Sequence, residues 1–243
     1  MARVGNITSS EIVALTTNGK AKDTFGKPFY TYIKQCNWER NLGRSLDTNT
    51  TSRPLSWGKL MEIFYFQTMG LIHYTPLMDE PKQHPTIESW WGSPDAINNN
   101  LKCVSELKCP QTMQSFCQLV EPLMQGMTGI NAMYIIRGEH PDGEKYYWQC
   151  VSNAIITGNT NAELIIFCPY KSQLDDVRQL AQDMPTDQLY QYYWIGNATD
   201  KELPYLIDGG KYKNINSIYF EIPQADIDFL TNRVNEAVKM LVQ

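Results

Sequence analysis

Asp95, Glu106 and Lys108 have the types and the spacing to hold a hard cation together with a water molecule. In an extended segment residues i and i+2 share a face. The run Val104-Ser105-Glu106-Leu107-Lys108, read as a strand, therefore sets Glu106 beside Lys108 and turns Leu107 into the core. An anion and a cation side by side, with the carboxylate of Asp95 next to them, suit Mg²⁺ or Mn²⁺. Such ions prefer carboxylate and water oxygens, and no cluster of soft ligands competes for the role. Spacing alone does not separate this from an ordinary strand that carries Glu and Lys on its solvated face.

Positioning these groups takes a hairpin. Pro94 fixes the backbone before Asp95, Ala96-Ile97 then Asn98-Asn99-Asn100 reads as a strand end and a turn, and a strand from Leu101 to Lys108 brings Asp95 back beside Glu106. Upstream, Trp57 to Met69 carries apolar residues at 57, 60, 61, 64 and 65, the pattern of an amphipathic helix capped by Ser56. Glu62 stands among those positions. A carboxylate near a buried face is costly unless paired or metal-bound, so Glu62 is either a partner of Lys59 or a group aimed at the same site. At the N-terminus, Thr8-Ser9-Ser10-Glu11 has the form of a capping box ahead of Ile12-Val13-Ala14-Leu15. A helix start with a hydroxyl and a guanidinium nearby is also a ready anion site.

Pro94-Asp95 with Glu106-Leu107-Lys108 resembles the PD-(D/E)xK nuclease motif. Further blocks follow the order of the phage lambda exonuclease family, the alkaline exonucleases of phage recombination systems. They are Arg3-Val4-Gly5-Asn6-Ile7-Thr8-Ser9-Ser10-Glu11, Ser56-Trp57-Gly58-Lys59-Leu60-Met61-Glu62, Ser93-Pro94-Asp95, Glu106-Leu107-Lys108-Cys109-Pro110, and a helical segment from Tyr147-Trp148-Gln149 to Ile155-Ile156-Thr157. The resemblance runs from about residue 3 to the C-terminal helix.

It implies a restriction-endonuclease-like core with two Mg²⁺ or Mn²⁺ ions per site. Asp95 would bridge them, Glu106 and the Leu107 carbonyl would serve one, Glu62 the other, and Lys108 would orient the water. Arg3 and Ser10 would hold the terminal 5′-phosphate. The family usually places two glutamines one residue apart in the helix after the 138–144 turn. Here Gln149 is followed by Val151, which leaves the second role vacant or passed to Ser152 or Gln149. The implied activity is a magnesium-dependent 5′-to-3′ exonuclease on linear double-stranded DNA, a hydrolase yielding mononucleotides. The 3′ overhang would go to a single-strand annealing protein in phage DNA recombination inside a bacterial host, and a ring-shaped homotrimer would thread the DNA. Two alternatives stand beside it: a DNA-binding or assembly protein with weakened catalysis on the same fold, motivated by Val151 and the acidic balance, and a PD-(D/E)xK endonuclease.

The chain of 243 residues is long enough for one sizeable core, and with no linker-like stretch residues 1–243 read as one domain. Hydrophobic residues make up 42% and charged ones 19%, an ordinary globular balance, and no apolar run approaches the ~20 residues of a membrane span. The N-terminus lacks the apolar segment of a secretory signal. Cysteines 36, 103, 109, 117, 150 and 168 form no CxxC pair, which fits reduced thiols in a cytoplasmic protein. His73, His84 and His140 are too scattered to argue a triad or a zinc site. The net charge of −5 runs against phosphate binding. Yet Lys20, Lys22, Lys27, Lys34, Arg40, Arg44, Arg53 and Lys59 concentrate positive charge in the first quarter, the expected DNA face.

Elsewhere, Pro28 to Trp38 reads as a helix and Asn41 to Pro54 as a loop. Ile87 to Trp91 reads as a strand, Thr112 to Met127 as a helix, Gly138 to Glu144 as a turn and Lys145 to Thr157 as a helix. Glu163 to Tyr170 and Ser217 to Ile222 read as buried strands, and the aromatic run 188–194 as core or subunit interface. A closing helix after Pro223 has apolar residues at 227, 230, 234, 237, 238 and 241. Strands interleaved with helices predict an α/β domain with a mixed central sheet.

Overall fold

A strand covered on both faces must be apolar at successive positions, and the segment 161–167 is buried at every residue after the first. Ala162, Leu164 and Ile166 enter one apolar cluster, while Ile165 and Phe167 enter another on the opposite face. This strand is the middle of the fold. The computed structural model describes residues 3–21, 24–46, 51–68, 73–77 and 80–242. Lys22, Met69 and part of the predicted 41–54 loop lie outside the described residues.

In chain order the elements are β1 (Ile7–Thr8), α1 (Val13–Thr16), α2 (Lys27–Leu42), α3 (Arg53–Thr68), β2 (Tyr74–Pro76), β3 (Lys82–Gln83), β4 (Trp90–Gly92), β5 (Ala96–Asn98), β6 (Cys103–Lys108), α4 (Met113–Met124), α5 (Gly129–Glu139), α6 (Gly143–Ile156), β7 (Asn161–Phe167), α7 (Leu174–Gln182), α8 (Leu189–Gly196), β8 (Ile215–Glu221) and α9 (Gln224–Val238). The central sheet has the order β2-β5-β6-β7-β8, with β6 and β7 parallel and the other pairs antiparallel. It is the mixed sheet the sequence predicts. A small second sheet, β1-β4-β3, carries the N-terminal stretch. One face of the central sheet packs against α4, α5, α6 and α9, and the other against α3, α7 and α8.

Several expectations need correcting. The helix predicted from Ser56 begins at Arg53, because Pro54 suits a first helical turn and Ser52 caps it. The Ser52 hydroxyl accepts from the Leu55 amide at 3.4 Å and its carbonyl from the Ser56 amide at 2.9 Å. Ser56 is buried inside the helix, whose Trp57, Leu60 and Met61 each contribute roughly 1.5–3 kcal/mol of burial. The predicted capping box does not form. Thr8 lies in β1, which pairs in parallel with β4 through Ile7↔Trp90 and Thr8↔Trp91, and its amide donates to the Tyr32 hydroxyl at 2.8 Å. The helix behind it, α1, has only 4 residues and no side-chain cap. Helices α5 and α7 were not anticipated, although Ala132, Met133 and Ile136, and Leu174, Val177 and Ala181, bury at helical spacing. The aromatic run is α8: Tyr192 points inward, while Tyr190 and Tyr193 are exposed.

One guanidinium ties the chain's two ends to this frame. Arg40 donates to the Gly5 carbonyl at 2.7 Å, the Val242 carbonyl at 2.8 Å, Asn6 Oδ1 at 3.0 Å and Ser89 Oγ at 2.9 Å. Gly5 has φ +67°, and a Cβ there would sit 2.3 Å from Arg40 Cγ, so only glycine fits. Glu39 beside it accepts from the Gly5 amide at 2.8 Å, the Leu46 amide at 2.8 Å and Ser45 Oγ at 3.0 Å. Burial pushes its carboxyl up, but these hydrogen bonds outweigh burial and hold it below the ordinary glutamate range.

Arg40→Met should lower stability by about 2–4 kcal/mol in urea denaturation, since it removes charged hydrogen bonds to four acceptors. Glu39 has a lowered folded-state pKa. Its contribution is therefore complete above the unfolded value and lost as pH falls through the folded one. Glu39→Gln should weaken the protein at neutral pH and flatten its loss of stability on acidification; an unchanged acid limb would refute this.

Candidate active site

The hairpin forms as the sequence predicts. Ala96 pairs with Ser105, Ile97 with Val104 and Asn98 with Cys103, so one step further along the ladder Asp95 falls opposite Glu106. The turn is longer than expected. Strand β6 starts at Cys103 and not at Leu101, because Asn98 Oδ1 accepts from the amides of Asn100 (3.1 Å) and Leu101 (3.0 Å), and Lys102 takes φ 51°. Asp95 Oδ2 accepts from the Leu107 amide at 2.6 Å. Pleat alternation sends Leu107 into the α3 side and Glu106 and Lys108 toward α6.

On that side Glu106 is 3% exposed and fully engaged. Its Oε1 accepts from Lys108 Nζ at 2.7 Å and from Gln149 Nε2, and its Oε2 accepts from Asn153 Nδ2 at 3.0 Å. Gln149 Oε1 in turn accepts from Lys108 Nζ at 3.3 Å, and that ammonium lies 5.1 Å from the ring centre of Tyr146. Glu62 of α3 faces the same cleft. The cleft has a volume of about 700 Å³, and Glu62, Asp95, Glu106, Lys108, Tyr146 and Gln149 line it.

The electrostatics follow from burial and crowding. Burial, then Glu106, then Glu62 push the Asp95 carboxyl well above its ordinary range, with Lys108 and the Leu107 amide acting against them. Burial alone would discharge Lys108, but Glu106 and Asp95 hold its ammonium above the usual lysine range. Three carboxylates thus share the site with Lys108, a surplus of negative charge that suits a divalent cation. The donors are oxygens, and the neighbouring Cys109 thiol is pushed well up by burial and by Glu62, so it does not offer a soft thiolate ligand. Among the described residues no three His, Cys, Asp or Glu side chains stand at metal-coordinating spacing. The fit is therefore one of donor chemistry and charge, and Glu106 would have to exchange a hydrogen bond for the ion.

The N-terminal stretch reaches the same place by the β1–β4 bridge, in which the Ser9 amide donates to the Trp91 carbonyl at 2.9 Å. Ser10, its Oγ 3.2 Å from Thr8 Oγ1, lines both the cleft of Asp95 and a second cleft of about 420 Å³ that Arg3 lines. Arg3 and Ser10 therefore share a pocket, and Ser10 also lines the cleft that Asp95 lines.

Ser152 does not support the site. Its hydroxyl lies 2.7 Å from Ser9 Oγ, accepts from Trp90 Nε1 at 2.9 Å, and pins the small sheet onto α6. Val151 is fully buried in the core. The second polar grip on Glu106 comes from Asn153, which sequence reading missed. Its signal was spacing: Tyr146, Gln149 and Asn153 recur at i, i+3 and i+7 on one helical face. Gly92 makes room for it, since a Cβ there would lie 2.3 Å from Asn153 Oδ1 and 2.5 Å from Ser9 Oγ. His84 is held by the amides of Thr86 and Ile87, and His73 by Asn100, both outside the cleft lining.

Asn153→Leu leaves Glu106 Oε2 buried without a donor and should cost about 1–3 kcal/mol. Asn153→Asp sets a like charge against Glu106 and should cost more. Thermal denaturation giving the opposite order would remove the role assigned to Asn153.

No protein-family model matches the sequence, and no curated protein does. Solved structures do. The alkaline exonuclease LHK-Exo from Laribacter hongkongensis matches with a TM-score of 0.57 and 17% identity, over 98% of this chain and 88% of that one. Its complex with dAMP matches with a TM-score of 0.55 and 17% identity, over the same shares of 98% and 88%. A phage-related exonuclease from Haemophilus somnus 129PT matches with a TM-score of 0.59 and 12% identity, over 97% of this chain and 92% of that one. The chain therefore has the restriction-endonuclease-like α/β fold of these exonuclease structures, the fold that the sequence resemblance implies.

Proposed function

We propose that this protein is a metal-dependent exonuclease that removes nucleotides from the 5′ ends of linear double-stranded DNA. The observation that carries the reading is the hairpin register that brings Asp95 to Glu106 in a cleft with Lys108 and Glu62. The fold shared with two exonucleases supports it, as does the binding of dAMP, a deoxynucleoside monophosphate, by one of them.

Asp95, Glu106, Glu62 and the Leu107 carbonyl would hold Mg²⁺ or Mn²⁺, two ions in the fullest form of the site. Such ions, when bound, lower the pKa of a water and stabilise charge on a scissile phosphate. Lys108, clamped by Glu106, Gln149 and Tyr146, would orient the attacking water and offset charge on the phosphate oxygens. Arg3 and Ser10 would hold the terminal 5′-phosphate one pocket away, which fixes the strand end relative to Lys108 and sets the direction of digestion. The sequence resemblance extends the proposal to a homotrimeric ring around DNA, and to a single-strand annealing protein as partner in phage recombination within a bacterial cell.

Asp95→Ala and Lys108→Ala should each cut Mg²⁺-dependent nucleotide release from duplex ends by about 10²–10³-fold or more; retained activity in both would sink the site assignment. EDTA should abolish release by the wild type, and full activity in EDTA would overturn the metal requirement. Covalently closed circles should survive, and their digestion would favour an endonuclease. Arg3→Ala should erase the preference for 5′-phosphorylated over 5′-hydroxyl ends, as measured by initial rates. Equal discrimination by wild type and variant would exclude the phosphate pocket.

A further inference from the structure

Ser115 of α4 lines the same cleft as Asp95, Glu106 and Lys108, and a buried histidine stands behind it. His140 is 5% exposed. Its Nδ1 lies 3.1 Å from the Asp142 amide, which can only donate, so Nδ1 carries no proton. A neutral ring then bears its hydrogen on Nε2, and burial favours that neutral form. Nε2 is 2.7 Å from Ser115 Oγ. The histidine is therefore the donor in this pair and the serine oxygen the acceptor.

Two consequences follow. His140 cannot take a proton from Ser115, so the pair is not a nucleophile and base. The serine's own proton must find another acceptor, and among the described residues no other hydrogen-bond partner of Ser115 Oγ is found, while the residue lines the cleft. In a groove that receives DNA the backbone is the commonest partner, since phosphate oxygens and sugars together take about half to two-thirds of protein–DNA hydrogen bonds. Asp142 lines the same wall with its carboxylate engaged by the Tyr146 hydroxyl, and Lys145, which also lines it, lies 3.6 Å from Glu11.

We infer that Ser115, oriented by His140, donates to an internal phosphodiester oxygen of DNA lying in the cleft, a contact separate from the terminal 5′-phosphate pocket of Arg3 and Ser10. This rests on the nuclease reading for its substrate but not for its geometry. Ser115 is the binding residue and His140 a positioning residue that acts through it.

The test is a set of duplexes, each with one uncharged methylphosphonate linkage stepped along the strand from its end. Binding to the full-length protein is read by fluorescence anisotropy in Ca²⁺ without Mg²⁺. Wild type should lose about 3–10-fold in affinity at one internal linkage. Ser115→Ala should bind unmodified DNA about 3–10-fold more weakly and lose nothing further at that linkage, while its losses elsewhere stay as in wild type. His140→Phe should copy Ser115→Ala, and His140→Gln, which keeps a donor, should stay nearer wild type. Full position dependence in Ser115→Ala, or a His140→Phe pattern like that of wild type, overturns the inference. Binding with this map but no cleavage in Mg²⁺ or Mn²⁺ overturns the nuclease reading alone. Failure to bind any duplex overturns both.

Discussion

A carboxylate on the inner face of a central sheet strand has to be given donors, and Glu106 dictates which parts of the chain come together to supply them. Desolvating it without partners would cost several kcal/mol. Lys108 arrives from two residues along the same strand, and Gln149 and Asn153 arrive from α6, which must lie across β6 at a fixed rotation to present both. Ser152, on the next position round that helix, then meets Trp90 and Ser9, so the small sheet is docked by the same rotation. The placement of Arg3 and Ser10 beside the cleft is a downstream result.

The sheet buries a second carboxylate and solves the problem differently. Glu163, opposite Ser105 on the α3 side, accepts from Asn98 at 3.0 Å, Ser105 at 2.7 Å, Tyr74 at 3.1 Å and Ser217. Neutral donors from four strands or strand ends satisfy it, and no ion pair to it occurs among the described residues. That network closes β2, β5, β6 and β8 around β7. The Glu106 cluster, by contrast, opens onto a groove, contains the Lys108 ammonium and sits against two further acids. One face of the sheet spends its buried charge on architecture, and the other keeps it where a substrate can reach.

What could be read in advance was local. The alternation Val104 to Lys108, the turn-forming asparagines 98–100 and Pro94 specify a hairpin and hence the meeting of Asp95 with Glu106, because strand pairing across a short turn admits few registers. The helix bearing Glu62 is legible from its apolar spacing and the one bearing Gln149 from its place after the 138–144 turn, although the first turn of α3 is not, since Ser52 and Ser56 are equally good caps by type. The capping box at Thr8 failed for a nonlocal reason: a strand partner 83 residues away, Trp91, competes for that backbone and wins.

The sequence by itself determined the chemistry of the candidate site, the strand that carries it and the mixed α/β character of the domain. These rest on residue type and on contacts within a few positions. Only tertiary structure decided that Asn153 and not Ser152 grips Glu106, that Arg40 binds both chain ends, and that the Ser115 oxygen meets His140 Nε2. Each depends on how two distant segments are rotated against one another. A helix offers side chains to every direction in turn, and packing alone selects which of them face the cleft.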